Sequence, residues 1–423
     1  MSNSRQSPAV ASEKDEEHRS VWNAPFVIIS LAYIMARGAG VVFGPAKNGI
    51  ANDLGISLSE LMATRTTTAL VSAGVVIPAA ILVSRFSPGA LAWGGILLYG
   101  LGLATSGISQ TLTVFYAGAI LASIGSILMV PLFGQIGRDT LSIRTFVVAT
   151  TIVIVFGRAA QALSLIVTGL IYESLGWRIL YIIWGSAMIP AVVLAWRYIK
   201  PMKPSQDASS VRKLLSMLGW LLKRPLVWLC GISFGLTMAT VGSFGFIWNI
   251  NLQEALDWGP FEANLLTFMF VAGIIVGGYF VTWLSKRIGE YPSILINMSI
   301  GISVFIVCVF VTSSLREIRL AGPMLFFVGI TLGTGMMIQP YVSRFFESHM
   351  SAMFFGVTTA IFLVLTALIV TLPLWTLSPE PQWSAAEVRQ ALVPYVAMII
   401  LGIAIFALIR WVPKPNGTGE SGG

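Results

Sequence analysis

Apolar stretches long enough to cross about 30 Å of hydrocarbon recur from one end of this chain to the other. They fall near 23–46, 58–84, 89–108, 112–135, 145–171, 177–199, 225–249, 261–284, 291–313, 320–342, 352–376 and 388–411, twelve in all. The divisions at 109–111 and 172–176 are short, and a helical hairpin needs only a few turn residues. Composition closes off the soluble alternative. Residues are 56% hydrophobic and 10% charged, whereas a soluble domain is about 25% charged and needs polar surface to dissolve. The net charge of +8 does not indicate nucleic-acid binding, because the basic residues lie mainly between apolar stretches, beside lipid headgroups. Cys230 and Cys308 lie inside apolar stretches and read as buried thiols, not a disulfide framework. The first 22 residues are polar and mixed in charge, from Glu13 to His18, and look like a tail before the first span, not a cleavable signal.

Lysine and arginine placement orients the spans. With the N-terminus inside, the cytoplasmic segments hold eighteen and the outer segments five (Lys47, Arg178, Arg316, Arg319 and Arg389), which places both termini in the cytoplasm. The longest internal polar segment, 200–224, divides the spans into bundles at 23–199 and 225–411, with tails at 1–22 and 412–423. Within it, Val211 to Leu222 is amphipathic enough to lie on the inner membrane face. The expected fold is all-α, with two pseudo-symmetric bundles of six helices.

The links between spans two and three (Ser84–Arg85–Phe86–Ser87–Pro88) and between spans eight and nine (Ser285–Lys286–Arg287–Ile288–Gly289) are short, basic and in the same ordinal position. This is the mark of a repeated six-helix unit. On this layout the chain resembles the major facilitator superfamily from Trp22 to Trp411. The family's inner signature runs Gly, then Asp–Arg, then Gly. Here its first copy reads Ala80, Ser84, Arg85 and Ser87, and its second Thr282, Lys286, Arg287 and Gly289. The signature aspartate is absent from both copies. Gly169, Glu173 and Gly176–Trp177–Arg178 are also similar to the family's junction of spans five and six. Ser164 and Leu165 stand where its antiporters often carry Gly-Pro. The basic residues of these links, Arg85, Lys286 and Arg287, are gating candidates, and Glu262, Glu173 and Asp139, acidic residues near an interface, are candidates for coupling to a proton. The resemblance implies that spans one and five line a central cavity.

Three arginines stand at membrane depth: Arg37 in span one, Arg65 in span two and Arg158 in span five. An arginine at the bilayer centre costs at least about 2.5 kcal/mol and cannot escape by losing its proton. No aspartate or glutamate lies at clear mid-depth in any span. Bidentate guanidinium bonding suits carboxylate and phosphate, so a small organic anion is the expected cargo. Tyr33 lies one turn before Arg37 and Gln161 three residues after Arg158. Trp248, Asn249 and Gln339 are candidate polar contacts from the second half, as are Thr237, Thr240, Asn264, Thr267 and Tyr341. In the structural alternative, Arg65 snorkels or pairs with Asp53 or Glu60, and Arg158 bonds Gln161.

Glycines at 94, 95, 273, 277, 329 and 333 suggest close helix packing. Gly44–Pro45 is a hinge candidate, and Trp177, Trp283 and Trp375 read as interfacial anchors. With no nucleotide-binding loop, transport is expected to be gradient-driven. Coupling is to a proton or a counter-anion, with no catalytic residue, cofactor or metal, and with membrane lipid as the surroundings of a functional monomer. The expected location is a bacterial inner membrane. The competing functions are a proton-coupled drug or metabolite efflux pump with structural arginines, and a membrane assembly or sensor protein on a degenerate scaffold.

Overall fold

The structure is a computed structural model and describes residues 23–141, 143–199, 211–245, 258–311, 318–346, 350–375 and 384–414. Eleven of its helices are long and apolar enough to cross a membrane, or twelve when one bent pair is taken as a single span. No strand occurs among the described residues. The bent pair is α1 (Ala24–Ala39) and α2 (Phe43–Leu54), joined at 54°. The break falls at 40–42, just ahead of the Gly44–Pro45 hinge candidate. Pro45 has no amide to offer Val41, whose carbonyl instead accepts from Gly44 N at 3.2 Å in a tighter turn. Proline is tolerated in the first turn of the new helix.

The remaining elements of the first half are α3 (Leu58–Arg85), α4 (Pro88–Gly107), α5 (Leu112–Thr140) and α6 (Ile143–Leu194). A capping box starts α3: Ser57 accepts from Glu60 N, and the Glu60 carboxylate takes the Ser57 amide. The fifth and sixth spans are continuous in α6 except at Gly176, where φ is +72°. Glycine takes that conformation without a Cβ penalty, so the chain reverses there without a longer loop. The amphipathic α7 (Val211–Leu222) follows. It buries Leu221 in a core with Leu226, Val227 and Phe354, which ties it to the second half.

The second half comprises α8 (Pro225–Ser243), α9 (Pro260–Ile288), α10 (Glu290–Val311), α11 (Ile318–Leu332), a 3-10 stretch Gly333–Met337, α12 (Ile338–Ser343), α13 (Ser351–Ile369) and α14 (Ala385–Leu408). Its closest approach is between α9 and α11. A Cβ at Gly273 would overlap the Phe326 carbonyl oxygen, and one at Gly329 would overlap that of Phe270. Backbone contact of this kind supplies dispersion where lipid offers no hydrophobic drive. Gly94 departs from the expectation of close packing, since nothing lies within 4 Å of a Cβ placed there.

The halves meet along α3 against α13 and α6 against α9. The face bearing Asn23, α7 and Arg344 is here the near face, and the one bearing Gly55 and Gly176 the far face. At the far end of these seams, Thr66 Oγ1 donates to Ala367 O at 3.1 Å, and Gly169 packs against Asn264.

Candidate functional site

Arg37 occupies the last turn of α1. The break that follows leaves it at a helix C-terminus in mid-span, the end of the helix dipole that favours a cation. Tyr33 lies one turn earlier, and the Arg37 Cζ is 5.4 Å from its ring centroid. That ring is held by stacking on Phe133 at 5.6 Å and 20°. Helix α6 crosses α1 at this level through Gly157, where a Cβ would stand 3.5 Å from both the Arg37 Cγ and the Tyr33 ring. The next residue is Arg158, near enough to Arg37 for the two charges to repel. The 3.5 Å at Gly157 is ordinary van der Waals spacing, and the two cationic side chains share one level of the bundle where α1 and α6 cross there.

Arg158 donates from Nη1 to Gln161 Oε1 at 3.0 Å and from Nη2 to Met336 Sδ at 2.9 Å. Gln161 is 7% exposed. Met336 belongs to the opposite half, in the 3-10 stretch that interrupts the tenth span. That stretch is wedged between α8 and α9, with Gly335 against Met238 and Thr237, and Gly333 against Ile274. Both acceptors of Arg158 are neutral, and a thioether is a weak one. The ion pairs among the described residues are Arg178–Asp53 and Arg344–Glu290, and neither involves the mid-depth arginines.

Arg65 is in the same half, and Tyr99, whose hydroxyl donates to Ala36 O at 2.9 Å, neighbours both its charge and that of Arg37. The Arg65 Cζ sits 3.9 Å from the Phe43 ring centroid, a cation–π contact. Tyr99 and Tyr181 are its polar neighbours, and its Nε is buried without a hydrogen bond. The expected acidic partners are used elsewhere. Asp53 accepts from Trp177 Nε1 at 3.0 Å and Arg178 Nη1 at 3.2 Å, and Glu60 caps α3. Trp177 is therefore no interfacial anchor: it is 3% exposed and packs edge-on against Phe115 and Tyr181. The Gly176 turn directs it inward. Lys47 is likewise not in a connecting loop. The second limb of the bent span runs on to Leu54, so Lys47 is inside α2, 1% exposed, and donates to Gly44 O at 3.1 Å.

Gln339 is buried in the second half and donates to Thr358 Oγ1 at 2.8 Å, which joins α12 to α13. Thr237 and Thr240 return their hydroxyls to the carbonyls of Ser233 and Leu236. Trp248 and Asn249 lie outside the described residues, as do the side chains of Arg85 and Glu173. Lys286 and Arg287 are exposed in the last turn of α9, with Arg287 4.4 Å over the Trp283 ring. Glu262 is half-buried in the first turn of the same helix, and Asp139 is exposed near the end of α5. None of these four is at the level of Arg37 and Arg158.

The sequence reading missed Met336 and Gly157. A methionine and a glycine in apolar spans carry no signal of their own, and the Arg158–Met336 contact joins residues 178 positions apart.

A family model described as the Major Facilitator Superfamily matches residues 29–371. No curated protein sequence matches the chain. Among solved structures, a bacterial homologue of the human lysosomal transporter Spinster, inward-facing and unoccupied, superposes with a TM-score of 0.72 at 13% identity, covering 91% of this chain and 96% of that one. A nucleoside transporter superposes with a TM-score of 0.70 at 11% identity, covering 91% and 99% of the two chains. A D-xylose–proton symporter does so with a TM-score of 0.70 at 14% identity, covering 94% and 100%. At these identities the likeness is one of fold.

Proposed function

The chain belongs to the Major Facilitator Superfamily, and from that premise we propose that this transporter carries a small organic anion, a carboxylate- or phosphate-bearing metabolite, by alternating access. The observation that carries the reading is the state of Arg158. It stands between the halves at mid-depth, beside the charge of Arg37, with an amide oxygen and a thioether as its acceptors. A guanidinium offers five donors in a planar fork. An anion received between Arg37 and Arg158 relieves their repulsion and supplies charge-assisted bonds, each worth roughly 1.5–3 kcal/mol. Tyr33 and Gln161 set the orientation of the two forks. Since Arg37 and Arg158 both belong to the first half, the cargo rides on that half while the second closes over it from either face.

For coupling, among the described residues no carboxylate stands at the level of Arg158 to carry the proton named for the xylose symporter. A proton carried by the substrate, or exchange for a second anion, fits the residues better. The charge bias of the connections supports a bacterial inner membrane with both ends inside.

Uptake of radiolabelled carboxylic acids into proteoliposomes tests the proposal. Saturable uptake by the wild type, lost in Arg37→Gln and Arg158→Gln while both variants keep the wild-type elution profile, is the expected result. Unchanged uptake in both variants rules the anion site out. The competing reading is an efflux pump whose arginines are structural, and the hold of the Phe43 ring on Arg65 favours it. Extrusion of neutral or cationic dyes, indifferent to both substitutions, would establish it.

A further inference from the structure

The Arg158–Met336 bond joins the two halves through side chains, and it lies at the level of the proposed anion site. Its two sides are built differently. The Arg158 side is anchored by Gln161 within the same helix. The Met336 side comes from five residues of 3-10 backbone held by close glycine contacts to Met238 and Ile274. A mid-helix 3-10 stretch commonly marks a place where a span bends. The acceptor itself is neutral, polarizable and weak. It is enough to hold a guanidinium in place but yields to any carboxylate.

We propose that Arg158 and Met336 form a latch between the halves of the empty carrier, and that the anion releases it by taking the guanidinium edge held by the thioether. Met336 is then a positioning residue. It sets the orientation of the Arg158 fork before cargo arrives, and its displacement exchanges a bond between the halves for a bond to the cargo. The release step rests on the anion reading above, but the latch does not. Because ligand and latch compete for one donor edge, they must be reciprocal: weakening the latch tightens anion binding, and strengthening it weakens binding.

The test combines two readouts on full-length protein in lipid nanodiscs. Spin labels replace Phe86 and Ile288, both exposed on the near face, in a background with Cys230→Ala and Cys308→Ala, and report the distance between the halves without added anion. Met336→Leu keeps the volume and removes the acceptor, whereas Met336→Gln supplies a stronger neutral one. The expected result is a broader or shifted distance distribution for Met336→Leu and a narrower one for Met336→Gln. Binding of acetate, lactate and benzoate should tighten by about 3- to 10-fold in Met336→Leu and weaken by a similar factor in Met336→Gln. Met336→Glu, which places a carboxylate on the fork, should abolish binding while the protein stays folded. Identical distance distributions in the wild type, Met336→Leu and Met336→Gln would overturn the latch. A shifted Met336→Leu distribution with no carboxylate binding by the wild type would retain the latch and reject the anion as its release.

Discussion

The two halves share a six-helix layout and both close by backbone contact at glycines, Gly102 and Gly125 in the first and Gly273 and Gly329 in the second, but they differ in the charge they bury. The first half carries Arg37, Arg65 and Arg158 at membrane depth, held by aromatic rings, an amide and a helix end. The second half shows no mid-depth cation among the described residues, and its buried hydroxyls are spent on neutral partners, Thr240 and Thr267 on their own helix and Ser233 and Ser243 on α14. What the second half offers the centre of the molecule is Met336, a neutral sulfur. Among the described residues, the mid-depth charge therefore comes from the first half. Two pseudo-equivalent bundles become a charged carrier face and a neutral closing face, which is a workable division for an alternating-access carrier.

Four measurements break or sharpen this contrast. The largest effect is expected from Arg158→Gln combined with Arg37→Gln, which should lower anion uptake by roughly 100-fold or to background. By comparison, Gln339→Leu in the second half should change it by less than about 3-fold, since that amide is spent on Thr358. Equal losses would erase the distinction between the halves. Next is Gly273→Val, which drives a side chain into the Phe326 carbonyl. Overpacking of about 1–3 kcal/mol should lower the melting temperature by roughly 3–10 °C, while Gly94→Val, which faces open space, should move it by about 1 °C or less.

A smaller effect is expected for Arg65. Arg65→Leu removes a buried charge held by Phe43, and a protein in which Arg65 is structural should keep its affinity for the anion within about 2-fold. A 10-fold loss of affinity, read by the same uptake assay, would extend the charged face to the far side. The smallest is Asp53→Asn, which loosens the clasp on Trp177 and Arg178. That pair is partly exposed, so the cost in thermal stability should be about 1 kcal/mol or less. High salt should mask much of it.

Much of the fold was legible from the chain. The span pattern was readable because hydrocarbon tolerates only long apolar helices, and the short basic links revealed the repeat. The structure refined these readings at particular residues. The first span breaks at 40–42 and continues to Leu54, which carries Lys47 inward from its expected loop. The Gly176 turn converts Trp177 from an expected anchor into a core residue. Of the candidate site, only the pairs Tyr33 with Arg37 and Arg158 with Gln161 were legible, because residues at i, i+4 and i, i+3 share a helix face. The partner from the other half was not legible, since no local pattern links positions 178 apart.

The sequence by itself determined that this chain lives in a membrane, that it is built from two halves, and that permanent positive charge enters its interior. Those facts depend on transfer energies and spacing along one chain, which composition and order carry directly. Only the tertiary structure decided that Arg37 and Arg158 share one level, that Asp53 and Glu60 are spent on other partners, and that a thioether from the opposite half meets Arg158. Such pairings depend on which helix faces approach in three dimensions, and a close approach between distant segments leaves no trace in either segment alone.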